Sequence, residues 1–176
     1  MDFARYRQFH QAQQNMKLYH GGLDIIELPE IREPNRTLDY GRGFYLTTSY
    51  EQAQKWVKRK IDENRVSCGY VNEYDYDPLS EKELHILNFE SPTEEWLDFV
   101  MANRMNPDFS HEYDIVKGPV ANDRVYAAFA LYEARLYDRK RLIEELRVYK
   151  LVDQILLHTP KSLSSIRFIK AHKITT

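Results

Sequence analysis

Three short patterns in the sequence carry residue types that could do chemistry. The first is His20 before Gly21, at the end of an alternating, strand-like run. The second is the stretch 39–49, in which Gly41 and Gly43 precede Phe44-Tyr45-Leu46 and a helical pattern. Glycine lets a ligand approach bare backbone, and an aromatic ring beside it offers a stacking face.

The third pattern is the polar pair Asp153-Gln154, which opens a late apolar run. Each pattern taken singly has an ordinary explanation as part of the core, for example His20 as a hydrogen-bonded core histidine. Only their combination indicates a site, formed where the elements that carry them meet.

Other chemistries find less support. The six histidines are scattered and have no partner at ligand spacing, so the sequence predicts no metal site. The single cysteine, Cys68, cannot form an internal disulfide, which is typical of a reducing compartment. Its strand-like surroundings favour a packing role over a nucleophilic one.

The composition is that of a globular protein. With 176 residues, 43% of them hydrophobic, the chain is long enough for one domain with a sizeable core. A net charge of -2 gives no overall basic field for nucleic acid or acidic membranes. No signal peptide and no apolar run of about twenty residues is visible, so we expect a cytoplasmic protein with no membrane partner.

Periodicity and capping signals predict the elements. We expect an N-terminal helical extension over residues 1–15, followed by a domain over 16–176. Ser49, Ser91 and Asp138 are predicted N-caps, and a further helix is predicted from Asn122 or Asp123. Predicted strands cover about 16–20, 44–47, 67–76, 83–89, 113–116, 152–158 and 166–174. Helices and strands do not alternate strictly, which predicts an α+β fold.

The three patterns together resemble the ADP-ribosyltransferase superfamily. The match is to its diphtheria-toxin and poly(ADP-ribose)-polymerase-like branch, whose signature is His-Tyr-Glu. The chain is also similar to a bacterial family assigned to this superfamily, in which Asp-x-Gly-x-Gly-Phe-Tyr-Leu-Thr, Glu-Trp-Leu-Asp-Phe-Val and Gly-Pro-Val-Ala-Asn-Asp recur. The resemblance spans about Met16 to Phe168, and it implies split antiparallel β-sheets with flanking helices in a single domain.

The resemblance also implies NAD as the substrate and a role for each matched residue. His20 would bind an adenosine-ribose hydroxyl, and the Gly21 backbone would pair with the nicotinamide amide. Tyr45 would stack on the nicotinamide ring, with Trp56 as a second aromatic and Gly43 lining the same pocket. The predicted activity is mono-ADP-ribosylation of a macromolecule, either protein or nucleic acid. The alternatives are an NAD glycohydrolase and an NAD-binding pseudoenzyme.

The third signature position departs from the branch, because Gln154 stands where the branch has glutamate. An amide can accept a hydrogen bond from the ribose 2′-hydroxyl, but it brings no negative charge and is a poor base. Candidates to supply charge or bind substrate are Asn122, Asp123, Arg124 and Asp153, although Asn122 could equally be a plain helix cap. Family analogy adds a bacterial toxin or effector held in check by an inhibitory, antitoxin-like partner.

Overall fold

The computed structural model describes residues 16–33, 38–119, 123–148 and 152–175, and all structural statements below concern these residues. The predicted N-terminal helical extension, residues 1–15, lies outside them. Among the described helices, none combines the length and the apolar character needed to cross a membrane.

The first sheet has three antiparallel strands. They are β1 (Met16–Gly22), β3 (Cys68–Tyr76) and β7 (Ile166–Thr175), in the order β1-β3-β7. The strands predicted at 16–20, 67–76 and 166–174 are therefore confirmed. Their alternation of apolar and polar residues gives the sheet two different faces.

The second sheet has four strands in the order β2-β6-β5-β4. They are β2 (Phe44–Leu46), β4 (Ile86–Asn88), β5 (Ile115–Pro119) and β6 (Asp153–Leu157). The prediction that both sheets are antiparallel is wrong at one pair, because β4 and β5 run parallel. A helix connects these two strands, and such a crossover is what parallel neighbours require.

In the described part of the chain, four α-helices and two 3-10 helices accompany the sheets. The α-helices are α1 (Tyr50–Asn64), α2 (Glu94–Met105), α3 (Asp123–Glu133) and α4 (Arg139–Val148). The 3-10 helices cover Pro78–Glu83 and Pro160–Ser165, and the first of them displaces the start of the strand predicted at 83–89. The predicted mixture of helices and strands in one domain is confirmed.

Helix starts follow side-chain capping, with one correction. Ser49 caps α1, because its hydroxyl accepts a hydrogen bond from the Gln52 N–H at 3.2 Å. The predicted cap Ser91 is wrong: Thr93 caps α2, with its hydroxyl 3.2 Å from the Trp96 nitrogen. A turn in which Thr93 N–H donates to the Ser91 carbonyl precedes the helix, so Thr93 is the residue correctly spaced for capping.

Among the described residues, three apolar clusters separate four layers. The cluster between the sheets includes Leu18 and Tyr74 from the first and Phe44 and Ile155 from the second. A second cluster joins the other face of the second sheet to α2, α3 and α4, and a third joins the first sheet to α1. The order of layers is therefore α1, first sheet, second sheet, and the three remaining helices.

The two sheets are joined at one point, between β1 and the end of β2. Tyr19 N–H donates to the Thr47 carbonyl at 2.8 Å, and Thr47 N–H donates to the Tyr19 carbonyl at 3.0 Å. This bridge places the next residue of β1, His20, directly beside β2.

Candidate functional site

His20 contacts the Tyr45 backbone at the junction of the sheets, whereas the Tyr45 side chain lies on the other face of β2, against the helical cluster. The His20 Nδ1–H donates to the Tyr45 carbonyl at 2.7 Å, and the imidazole stacks on Phe44 with ring centroids 4.4 Å apart. Burial lowers the pKa of His20, so its imidazole is neutral at pH 7. With the proton on Nδ1, Nε2 is an acceptor, and no described residue donates a hydrogen bond to it. His20 can therefore accept a hydrogen bond from a ligand hydroxyl.

The glycine loop before β2 folds back on Tyr45. Gly41 and Gly43 have φ angles of +87° and +146°, which residues with a Cβ rarely adopt. The Tyr45 hydroxyl donates to the Gly41 carbonyl at 2.6 Å and accepts from the Tyr40 N–H at 3.2 Å. These bonds fix the Tyr45 ring, which is half-buried, in one orientation.

Two histidines that are distant in the sequence hold the same loop. His111 Nε2–H donates to the Tyr40 carbonyl at 3.0 Å, and His158 Nδ1–H donates to the Arg42 carbonyl at 2.8 Å. Their rings pack against each other with centroids 4.2 Å apart. The sequence analysis missed this pair, because the two residues come together only through the tertiary fold.

Gln154 lies on the same face of the second sheet as Tyr45. Tyr45 stands opposite Leu156, two residues along β6 from Gln154, and side chains two apart share a face. Gln154 is 8% exposed, and its amide Nε2 is buried without a hydrogen-bond partner among the described residues. A buried amide without a partner is costly, and the Gln154 side chain lies close enough to the Tyr40 hydroxyl to affect the pKa of that phenol.

Tyr40 supports the floor beneath Gln154. Its fully buried hydroxyl donates to the Pro119 carbonyl at 2.9 Å and accepts from the Trp96 Nε1–H at 2.8 Å. Burial raises the pKa of this phenol far above its usual range, so it stays protonated and able to donate. Gly118 leaves the space for it, because a Cβ there would collide with the hydroxyl. The position of Tyr40 directly before Gly41 was the only sequence signal for this role.

A cleft of about 570 Å³ opens beside Gln154, between the ends of β2, β5 and β6 and the segment 88–92. Asp153 lines the cleft, and its Oδ1 accepts three hydrogen bonds. The donors are Thr47 Oγ1 at 3.2 Å, Thr48 N at 3.2 Å and Thr48 Oγ1 at 2.7 Å. Two of the predicted site residues, Asp153 and Gln154, therefore line one cleft.

Trp56 and Gly21 lie close together, on the α1 side of β1. A Cβ at Gly21 would be 3.3 Å from Trp56 Cδ1, and the cationic groups of Arg59 and Lys60 lie 5.7 and 5.1 Å from the indole centroid. The His20 imidazole faces the core between the sheets, so it lies on the opposite face of β1. The role of Trp56 as a second aromatic beside Tyr45 stays a prediction.

The remaining sequence candidates are only partly covered by the structure. Asn122 lies outside the described residues. Asp123 and Arg124 open α3, but their side chains are not among those described. Within the described ranges, no group of three or more His, Cys, Asp or Glu side chains is arranged to hold a metal ion.

Comparison with known proteins places the chain in a family. A family model described as "Protein of unknown function (DUF3990)" matches residues 16–168. The chain belongs to this family. The matched segment runs from the first residue of β1 into β7, so it contains His20, Tyr45 and Gln154. No curated protein matches the chain significantly.

Proposed function

We propose that this chain is a mono-ADP-ribosyltransferase that uses NAD to modify a macromolecule. The observation that carries the proposal is the position of Gln154, which lies on the strand paired with Tyr45 and lines the cleft at the end of that strand. Three residues far apart in the sequence, at positions 20, 45 and 154, sit on strands that are neighbours where the sheets meet. Their order is that of the His-Tyr-Glu branch, which the sequence resembles, and the first two residue types agree while Gln154 stands in place of glutamate.

The chemistry of the donor fits the groups that are present. The acceptor nitrogen of His20 suits a ribose hydroxyl, which can donate to it. The Tyr45 ring, held by its own hydroxyl, offers an aromatic face to the cationic nicotinamide ring. Such a contact contributes roughly 0.5–2 kcal/mol, depending on how dry the site is.

Gln154 takes the place nearest the bond that breaks. In the reaction the bond between the nicotinamide nitrogen and ribose C1′ breaks, and the ribose becomes positively charged. The amide of Gln154 bonds the ribose 2′-hydroxyl and orients the sugar, but it supplies no charge to offset the cation. We therefore expect slow transfer of a single ADP-ribose, without elongation to a polymer.

Labelled NAD tests the proposal. Purified protein is incubated with it and with cell extract, and label in macromolecules and free nicotinamide are both measured. Transfer of label supports the proposal, and treatment with protease or nuclease identifies the class of acceptor. Nicotinamide release without transfer indicates the glycohydrolase. Binding without release indicates the pseudoenzyme, which the uncharged Gln154 makes the second candidate.

Variants assign the site. His20→Ala and Tyr45→Ala are expected to weaken NAD binding about tenfold or more, since each loses a ligand contact of more than 1 kcal/mol. The controls are His85→Ala and Tyr137→Ala, which remove the same side-chain types away from the site. Unchanged NAD affinity in the first pair means that the site is elsewhere.

Gln154→Glu is the sharpest variant. A carboxylate there adds the missing charge, and we expect nicotinamide release to accelerate on the order of 10²-fold, the size typical of one aligned electrostatic group. An unchanged rate means that Gln154 does not contact the reacting ribose.

A further inference from the structure

The cleft beside Gln154 contains a second polar group, the Asp153 carboxylate, which is held by hydrogen bonds. Asp153 precedes Gln154 as the first residue of β6, and both residues line the cleft. Three donors from Thr47 and Thr48 converge on Asp153 Oδ1. They hold one carboxylate oxygen at the end of β2.

The other oxygen of this carboxylate remains available. No described residue donates a hydrogen bond to Asp153 Oδ2, and no cation of the described part forms an ion pair with it. The cation among the described lining residues is Lys117, whose ammonium group is bound by Glu81 at 2.5 Å. Asp153 Oδ2 is therefore without a hydrogen-bond partner among the described residues.

We propose that the acceptor enters this cleft and that Asp153 Oδ2 removes the proton from its nucleophilic atom. The inference rests on the proposed function, in which Gln154 holds the ribose. The acceptor is a hydroxyl or amine that carries a proton. Its heavy atom bonds to ribose C1′, nicotinamide leaves with the electron pair of the broken bond, and the proton passes to Asp153 and then to water.

These separate roles of Gln154 and Asp153 are consistent with glutamine in place of the signature glutamate at position 154. An amide can orient the sugar but cannot take a proton. Asp153 can, and it lies one residue away on the same strand. Positioning of the donor and activation of the acceptor are then separate tasks for neighbouring side chains.

A comparison of nucleophiles tests the role of Asp153. Nicotinamide release from NAD is measured with methanol, which loses a proton as it reacts, and with azide, which has none to lose. Asp153→Asn is expected to slow the methanol reaction by about 10²-fold or more, the usual contribution of a general base. The azide reaction and the Kd for NAD are expected to stay within about threefold of the unmodified protein.

Glu90→Gln is the matched control, because it removes one carboxylate charge at the rim of the same cleft. Equal losses in Glu90→Gln and Asp153→Asn mean that only local charge matters, and this overturns the inference. Equal losses with methanol and azide, or no loss with either, also overturn it. If the unmodified protein releases no nicotinamide with any nucleophile, the proposed function itself fails and takes this inference with it.

Thr48→Val tests the role of Asp153 in a second way, which is needed if the Asp153→Asn variant does not fold. It removes the 2.7 Å donor and leaves the carboxylate in place. We expect a smaller loss, confined again to the methanol reaction. An equal effect on azide contradicts the proposed role.

Discussion

The hydroxyl of Tyr40 shows how a single atom can determine the shape of the site. It joins α2 to the end of β5 through Trp96 and Pro119, directly beneath Gln154. Neither partner is near in sequence, since Pro119 follows 79 residues later. The position of Tyr40 beside the glycine loop therefore did not predict which groups its hydroxyl would join.

At Gly43 the backbone leaves no room for a side chain. The φ of +146° disfavours any Cβ, and the added atom would overlap Leu156 Cδ1 and the Leu157 carbonyl. We expect Gly43→Ala to lower the free energy of unfolding by about 2–4 kcal/mol, combining backbone strain with overpacking. Urea unfolding followed by circular dichroism measures the loss.

Gly22→Ala is the control for this prediction. Its Cβ would make only ordinary contacts, of which the closest is His20 Nε2 at 3.5 Å, and its φ is not positive. We expect a change within about 0.5 kcal/mol. Similar losses in both variants contradict the geometry described for the loop.

His20 makes folding dependent on pH. Burial lowers its pKa in the folded protein below the value of about 6.5 in the unfolded chain. Between pH 7 and 5 the unfolded state therefore binds more protons, and the free energy of unfolding falls as the pH falls. We expect His20→Asn to reduce this decrease, measured as the shift of the urea midpoint between pH 7 and 5.

Asp98→Asn provides the contrast. The Arg139 guanidinium holds the pKa of Asp98 below its usual range, so this carboxyl titrates at lower pH. Its removal changes the free energy of unfolding but leaves the change between pH 7 and 5 as it was. A slope unaltered by His20→Asn means that the imidazole is not buried in a neutral form.

At the scale of elements, local signals predicted most helices and strands. Ser49 and Asp138 were recognised as caps because an N-cap is a local arrangement within three residues. The parallel pairing of β4 and β5 was missed because it depends on where the chain between them crosses the sheet. The pairing of His111 and His158 was missed for the same reason: His158 bonds a carbonyl 116 residues away.

The start of α2 allows the correction at Ser91 to be tested. Thr93→Ala removes the hydroxyl that accepts the Trp96 N–H, and we expect a loss of about 0.5–2 kcal/mol in the free energy of unfolding. Ser91→Ala is the paired variant, and it should change stability by less than about 0.5 kcal/mol. The reverse order in urea unfolding means that the helix begins at the residue predicted from sequence.

At the scale of the whole molecule, the core between the sheets makes the layers depend on each other. Leu18 and Tyr74 of the first sheet pack in one cluster with Ile155 and Leu157 of the second. The sequence predicted the fold class from the number and kinds of elements. It could not predict which faces meet, because alternation shows that a strand has an apolar face without showing its partner.

The two tryptophans lie in different layers of the fold, so their fluorescence can follow the unfolding of each part. Trp96 is buried in the helical cluster of the second sheet, and Trp56 lies on α1 beside the first. Each of the variants Trp56→Phe and Trp96→Phe keeps a single tryptophan. We expect the fluorescence of that tryptophan and the circular dichroism signal to change in one common unfolding transition. Separate midpoints in either variant mean that the layers unfold independently.

The hydrogen bonds around the glycine loop have a consequence for the entropy of ligand binding. The carbonyls of Tyr40, Gly41 and Arg42 are all occupied by His111, Tyr45 and His158. The conformational entropy of this segment is therefore lost during folding, before any ligand arrives. A ligand that binds here meets a pre-organised wall, and its affinity carries little penalty for ordering the chain.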